Sequence, residues 1–340
     1  MNMLVFSDVH LNEDSADVVL GKILPGIRDA ALKMRIKDLA MLGDLWHVRY
    51  RVDVRIQNAL RDELKQWEEA DLNLRILPGN HDQVDRAGRN ALEVFDDLRK
   101  VKVYTEPTVD GDGLWVPYRK RVEDVAVILE QRAGQSMNLE GKRVCWAHAA
   151  IQGSMMNDCR ADTDGLPRAL FDQFDEVLLG HYHKRQTFGR TIDKASGPRF
   201  WYVGSVRQVT LNEAGQDKGF AVWNGEELQY FTTEWAPKLY RFEIEKGQKL
   251  DLSGIKAGDD VRVIAGPGVD IEKLGMMLNQ MGVQHTVTPV VEATSQRLSV
   301  AENASLAQYA EAYVDRIAPD NLDKGLLMQA FQSIVEKETA

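Results

Sequence analysis

The chain has 340 residues, 44% of them hydrophobic and 28% charged, with a net charge of −10. This is ordinary usage for a folded soluble protein and argues against a mainly disordered chain; the length suggests about two domains. The acidic balance speaks against a simple basic coat for nucleic acid, although bound cations and local basic patches can still carry such a contact.

No apolar run approaches the roughly 18–20 residues needed to span a bilayer. The opening MNMLVFSDVH meets Asp8 and His10 too early for a signal peptide and lacks a basic leader. The expectation is a soluble cytoplasmic protein with no membrane partner (host cytoplasm if phage-encoded). Two cysteines, Cys145 and Cys159, form no C-x-x-C pair, which excludes a disulfide scaffold and a thiolate zinc site.

Met3–Ser7 reads as a buried strand ending at Asp8. Residues 14–33 have helical spacing, with Pro25 expected to kink or break the helix. Asp38–Leu42 is a second buried strand, ending at Gly43-Asp44. Ile56, Leu60, Leu64 and Trp67 recur at helical spacing through 52–70. Leu72–Leu77 is a third strand, ending in Gly79-Asn80-His81-Asp82. Strands then become denser, at 101–104, 113–117, 142–147, 176–179, 200–203, 220–223 and 228–231, with a helix over 121–133. Trp235-Ala236-Pro237 closes a first domain, 1–235. Residues 236–295 read as a small α+β domain, with strands at 239–244, 260–264 and 284–291 and a helix near 271–281. A polar linker and two amphipathic helices, 304–318 and 321–337, occupy 296–340.

Strands alternating with helices predict an α/β fold. Asp8, Asp44 and Asn80 close three strands and stand 36 residues apart each time. In such folds ligands gather beyond the carboxyl ends of the strands. Six of the seven histidines lie in short motifs: Asp8-Val9-His10, Gly43-Asp44-Leu45-Trp46-His47, Gly79-Asn80-His81-Asp82, His148, and Gly180-His181-Tyr182-His183. Each motif alone is weak, but the ordered set is not. Carboxylate, imidazole and amide donors without thiolate suit manganese, iron or zinc. Asp44 can bridge two cations through its two carboxylate oxygens. Residues two apart, such as Asp8 and His10, converge if a turn redirects one of them. Two cations about 3.5–4 Å apart clamp a phosphate for in-line attack.

The ordered motifs resemble the calcineurin-like metallophosphoesterases, and more narrowly the SbcD-type nuclease subunits of double-strand-break repair, phage versions included. Tyr202-Val203-Gly204-Ser205, Glu213 and Lys218-Gly219-Phe220 add to the likeness, which is strong over the first ~235 residues. It implies a sandwich of two sheets flanked by helices, a small α+β capping domain and a C-terminal helix pair. It implies two divalent cations, manganese first, with magnesium, iron or zinc as alternatives. Asp8, His10, Asp44 and His183 would hold one; Asp44, Asn80, His148 and His181 the other. His81 would stabilise the transition state and protonate the leaving oxygen. Asp82 either orients His81 or caps the following turn. His47 would position DNA rather than bind metal; the Pro-Ser that usually follows it is replaced by Val48-Arg49-Tyr50-Arg51.

The implied activity is 3′-to-5′ exonuclease on duplex DNA and endonuclease on single strands or hairpins, in DNA repair, recombination or replication. The implied partner is an SbcC-like ABC ATPase with a coiled coil, docked by residues 304–337. A homodimer face is expected on 52–70 and 86–98, with packing on the chain's own sheet as the alternative. Arg119, Lys120 and Arg121 are offered as phosphate contacts or as a solvated charged loop, and Lys184 and Arg207 as contacts to the scissile strand. The rival functions are a stand-alone phosphoesterase on a small ester such as a cyclic nucleotide, and a non-catalytic tether for DNA ends.

Overall fold

A computed structural model describes residues 2–48, 51–85, 89–111, 113–132, 141–156, 160–191, 194–290, 306–317 and 323–330. β1 (Met3–Phe6) is buried along its whole length. α1 (Ala16–Val18), a π-helical stretch Val19–Ile23 and α2 (Leu24–Met34) follow. Pro25 does not break this helix, which runs without interruption from Ala16 to Met34: it directly follows the π-helical stretch Val19–Ile23, a local widening of the kind that accommodates a missing N–H. Next come β2 (Asp38–Met41), α3 (Val54–Glu69), β3 (Asn73–Ile76) and β4 (Val101–Val103). The Asp53 carboxylate caps α3 by accepting from the Arg55 N–H at 2.7 Å.

β5 (Thr108–Asp110) and β6 (Gly113–Val116) form a hairpin, and α4 (Val122–Arg132) leads to β7 (Val144–His148) and β8 (Glu176–Gly180). β9 (Gln186–Thr191) and β10 (Lys194–Tyr202) pair antiparallel, before β11 (Gly219–Trp223) and β12 (Leu228–Thr232). The sequence reading lacks β5 and β9. Both are edge strands, with one neighbour each and no continuous apolar run.

Two six-stranded sheets result, ordered β12-β11-β1-β2-β3-β4 and β5-β6-β7-β8-β10-β9. Within them β1 to β4, and β6, β7, β8 and β10, run parallel. Both faces of each sheet are covered, which explains strands that read as unbroken apolar runs. Met3, Val5, Ala40 and Leu42 of one sheet meet Trp115, Trp146, Leu178 and Trp201 of the other. Leu4, Phe6, Leu39 and Met41 point the opposite way, into α2 and α3. Trp115 lies between Tyr104 and Trp146, with centroids at 4.8 and 4.9 Å, and Trp223 closes on Trp146 edge-on. On α3, Leu60, Leu64 and Trp67 are engaged in this core, while Val54 is exposed.

A third, parallel sheet is built from β13 (Leu239–Ile244), β14 (Asp260–Ala265) and β15 (Gln284–Pro289). α5 (Ile271–Gln280) packs Leu274 and Leu278 on Val261 and Val263. Gln208 joins this unit to the sandwich: its Oε1 accepts from the Leu239 N–H and its Nε2 donates to the Gln216 carbonyl. α6 (Leu306–Ile317) exposes Tyr309 and Tyr313, and residues 324–330 are helical with Leu326 and Leu327 exposed. The expected linker 292–303, Cys159, Phe331 and Ile334 lie outside the described residues. Among the described residues, no helix is long and apolar enough to cross a membrane.

Candidate metal centre

The loops after β1, β2, β3 and β8 and the last residue of β7, His148, meet at one end of the sandwich. The first two zip together through backbone bonds, Asp8 N–H to Gly43 O and His10 N–H to Asp44 O, both at 3.0 Å. The turn that redirects Asp8 and His10 is a matter of backbone conformation. Asp8, His10 and Asp44 have φ of +53°, +52° and +55°, and His181 has +106°. Six non-glycine residues have positive φ among the described residues, and these four are among them. Such conformations cost about 1–3 kcal/mol each and persist where the surroundings over-determine them. Gly79 permits a close approach: a Cβ there would fall 2.2 Å from Asp44 Oδ1.

The donors form two clusters. In one, His10 Nε2 lies 2.9 Å from His183 Nε2, and His183 Nε2 lies 3.9 Å from Asp8 Oδ1. In the other, Asn80 Oδ1 lies 2.8 Å from His181 Nδ1 and 3.1 Å from His148 Nε2. Asp44 faces both, its Oδ2 at 3.8 Å from His10 Nε2 and 3.5 Å from His148 Nε2. Its other oxygen, Oδ1, accepts from the His81 N–H at 2.8 Å.

Burial pulls the His10 imidazole down to about 2 and that of His181 to about 3, with neighbouring imidazoles adding to the effect. Both rings are therefore neutral, with a lone pair to offer. Burial also works against charge on His148, but the Asp44 and Asp8 carboxylates outweigh it and raise the ring to about 9. Asp8 Oδ1 is buried and has no hydrogen-bond partner among the described residues. An orphaned carboxylate oxygen facing imidazole nitrogens at near-contact distance is a donor set short of a cation. The two clusters fit two divalent ions.

Outer contacts orient the donors. His148 Nδ1 donates to the Leu42 carbonyl at 2.6 Å and His183 Nδ1 to Glu213 Oε1 at 2.8 Å, which leaves each Nε2 for the cluster. Lys218 donates to Glu213 Oε2 and to the His183 carbonyl, both at 2.8 Å. In the sequence Glu213 and Lys218 stand only as marks of resemblance; their spacing of five residues carries no hint of this role. Asp82 does not contact the His81 ring. Its buried carboxylate accepts from the N–H groups of Asp44, Trp46 and Gly79 at 2.8, 2.9 and 2.8 Å, tying the β2 and β3 loops together.

His81 donates from Nδ1 to the His47 carbonyl at 2.7 Å, so its Nε2 faces outward from that bond. His47 Nδ1 lies 3.2 Å from His10 Nδ1. His10, His47 and His81 also stand close enough together to hold an ion. A neutral imidazole has one lone pair, however, and that of His10 serves at Nε2. Its Nδ1–H then donates to His47, and this third group reads as hydrogen bonding.

The basic residues are placed less directly. Arg119 donates to the Tyr118 and Thr105 carbonyls and pairs with Glu106. Arg121 is exposed beside Glu123 at 3.5 Å, and Lys120 is exposed. Lys184 is half-buried just beyond His183. Arg207 bonds the backbone of Val9 and His10.

No family model matches the chain. It is 25% identical over 248 residues to "Exonuclease subunit 1" of Enterobacteria phage T4, covering 70% of this chain and 68% of that protein. It is 26% identical over 280 residues to the D component of the nuclease SbcCD of Staphylococcus epidermidis, covering 70% and 72%. These relatives are of the kind the motif order resembles. Among solved structures, a dimetal phosphatase from Danio rerio aligns at 10% identity and a TM-score of 0.40, over 68% of this chain and 93% of that one. GAP50 of Plasmodium, described as the anchor in the inner membrane complex, aligns at 11% and 0.40, over 65% and 80%.

Proposed function

We propose that the chain is a metal-dependent DNA nuclease that hydrolyses phosphodiester bonds at a two-cation site. The observation that carries this reading is the convergence of six side chains, from the strand ends of two separate sheets, around the carboxylate of Asp44, which faces both clusters. Asp8, His10, Asp44 and His183 would hold one cation, and Asp44, Asn80, His148 and His181 the other. A bound pair of divalent ions supplies Lewis acidity toward the phosphoryl group and acidifies the attacking water. The chain's own part is orientation and proton transfer. The carbonyl of His47 orients the His81 ring by accepting a hydrogen bond from Nδ1–H; in the imidazolium form Nε2–H then gives its proton to the leaving oxygen, and the ring is left neutral with its remaining proton on Nδ1. Asp82 keeps the β2 and β3 loops in register so that Asp44 and His81 stay together.

DNA is favoured over a small ester by the similarity to relatives named as exonuclease and nuclease components. The finer reading is an SbcD-like subunit that works with an SbcC-like ABC ATPase in DNA end processing, with 3′-to-5′ exonuclease and hairpin endonuclease activity and manganese as the preferred ion. Residues 1–235 would carry catalysis, 236–295 cap the DNA, and 296–340 dock the partner through exposed Tyr309, Tyr313, Leu326 and Leu327. A homodimer and a cytoplasmic location belong to the same reading.

The test uses the full chain with Mn2+ on blunt duplex, hairpin and circular single-stranded DNA, beside a small phosphodiester. Cleavage of DNA that is lost in Asp44→Asn and His81→Ala supports the reading. Turnover of the small ester without DNA cleavage, or full cleavage by either variant, overturns it.

A further inference from the structure

Arg207 follows β10 and lines a cleft of about 250 Å3 beside His10 and His47, where a phosphate contact would be expected. Its guanidinium is turned elsewhere. Nε donates to the Val9 carbonyl at 3.1 Å, Nη2 to the His10 carbonyl at 3.0 Å and Nη1 to the Gln208 carbonyl at 3.2 Å. Two of these acceptors belong to the turn that carries Asp8 and His10, both at positive φ. The amides of that turn are held from the β2 side, by Gly43 and Asp44. Its carbonyls are held from the other side by Arg207, with Ser15 Oγ also donating to the His10 carbonyl at 3.1 Å. The Val206 N–H donates to the Ser7 carbonyl at 3.1 Å and keeps the two segments side by side.

We propose that Arg207 is a positioning residue for the metal-ligand turn Asp8–His10, clamping two consecutive carbonyls with one guanidinium fork, and is not a DNA contact. The inference rests on the two-cation reading above. The fork explains why arginine stands here: it presents its donors in a fixed plane, whereas lysine offers a point charge on a flexible stem. The two clamped carbonyls, of Val9 and His10, belong to the peptide planes on either side of His10, so releasing them lets left-handed His10 relax toward negative φ and its donor atom swing with it.

The experiment compares the wild-type chain with Arg207→Lys and Arg207→Gln, each checked by circular dichroism. Mn2+ binding is measured by calorimetry, and affinity for a blunt duplex oligonucleotide is measured in EDTA over a salt series. Positioning predicts that at least one Mn2+ binds about 10–100-fold more weakly in both variants, the cost typical of losing a partner behind a ligand. Duplex affinity and its salt dependence stay at the wild-type value, and kcat falls while KM for DNA holds. Mn2+ isotherms that superimpose on wild type overturn the proposal, as does a duplex affinity that drops in Arg207→Gln with a salt slope smaller by about one. A wild-type chain that takes up no Mn2+ overturns the two-cation reading and this inference with it, a pattern distinct from failure of the clamp alone.

Discussion

Glu213 and His183 form a carboxylate–imidazole pair, Oε1 to Nδ1 at 2.8 Å, that aims the other ring nitrogen at Asp8 and His10. Burial alone would raise the Glu213 carboxyl, but His183 and Lys218 hold it well below the usual range, so it stays an acceptor. Glu213→Gln should therefore weaken Mn2+ binding by about 10–100-fold while the fold persists. Calorimetry beside a near-ultraviolet spectrum checks both halves.

Gly79→Ala places a methyl 2.2 Å from Asp44 Oδ1 and 2.5 Å from the Asp44 amide. Neither atom can yield without moving the Asp44 carboxylate. The variant is expected to fold with a loss of about 1–3 kcal/mol and to lose the second Mn2+ and DNA cleavage. Wild-type metal stoichiometry in a folded Gly79→Ala chain would contradict the placement of Asp44.

Metal removal should lower thermal stability, because the donors come from loops on both sheets. Mn2+ at a hundred times its Kd would stabilise the folded chain by about 2.7 kcal/mol relative to the stripped protein. The midpoint should climb with Mn2+ in differential scanning fluorimetry, and less steeply in Asp44→Asn.

His81 lies outside both donor clusters, so His81→Ala should retain two Mn2+ per chain and lower kcat by about 10²–10⁴-fold. Metal analysis and single-turnover cleavage on the same preparation separate the two effects.

Trp146 is fully buried between the sheets, stacked on Trp115 and edge-on to Trp223. Trp146→Ala should cost about 3–5 kcal/mol by urea unfolding.

The central strands and the donors can be read from the chain because both depend on local pattern. Strands covered on both faces read as apolar runs, and the candidate donors stand at or shortly after the ends of five of them, β1, β2, β3, β7 and β8. The edge strands cannot be read this way: Thr108–Asp110 and Gln186–Thr191 are polar and short of partners, so their pairing depends on neighbours distant in the chain. The same holds for the outer contacts. Glu213 reaches His183 across 30 residues and Arg207 reaches Val9 across 198. In the sequence Arg207 shows only its charge, and its direction is set by a fold that no local pattern encodes. The sequence offers Asp82 two roles, orienting His81 or capping the following turn; its carboxylate instead accepts from the amides of Asp44, Trp46 and Gly79, partners that only the fold brings to it.

The left-handed backbone at Asp8, His10, Asp44 and His181 changes how substitutions there must be interpreted. Alanine at any of these positions deletes a donor and also puts a residue that resists left-handed backbone where Asp or His tolerates it, so the measured deficit mixes chemistry with local rearrangement. Asparagine tolerates that geometry and keeps the side-chain shape at positions 8 and 44. It is the cleaner probe of charge there, and glycine is the matching control for the main chain.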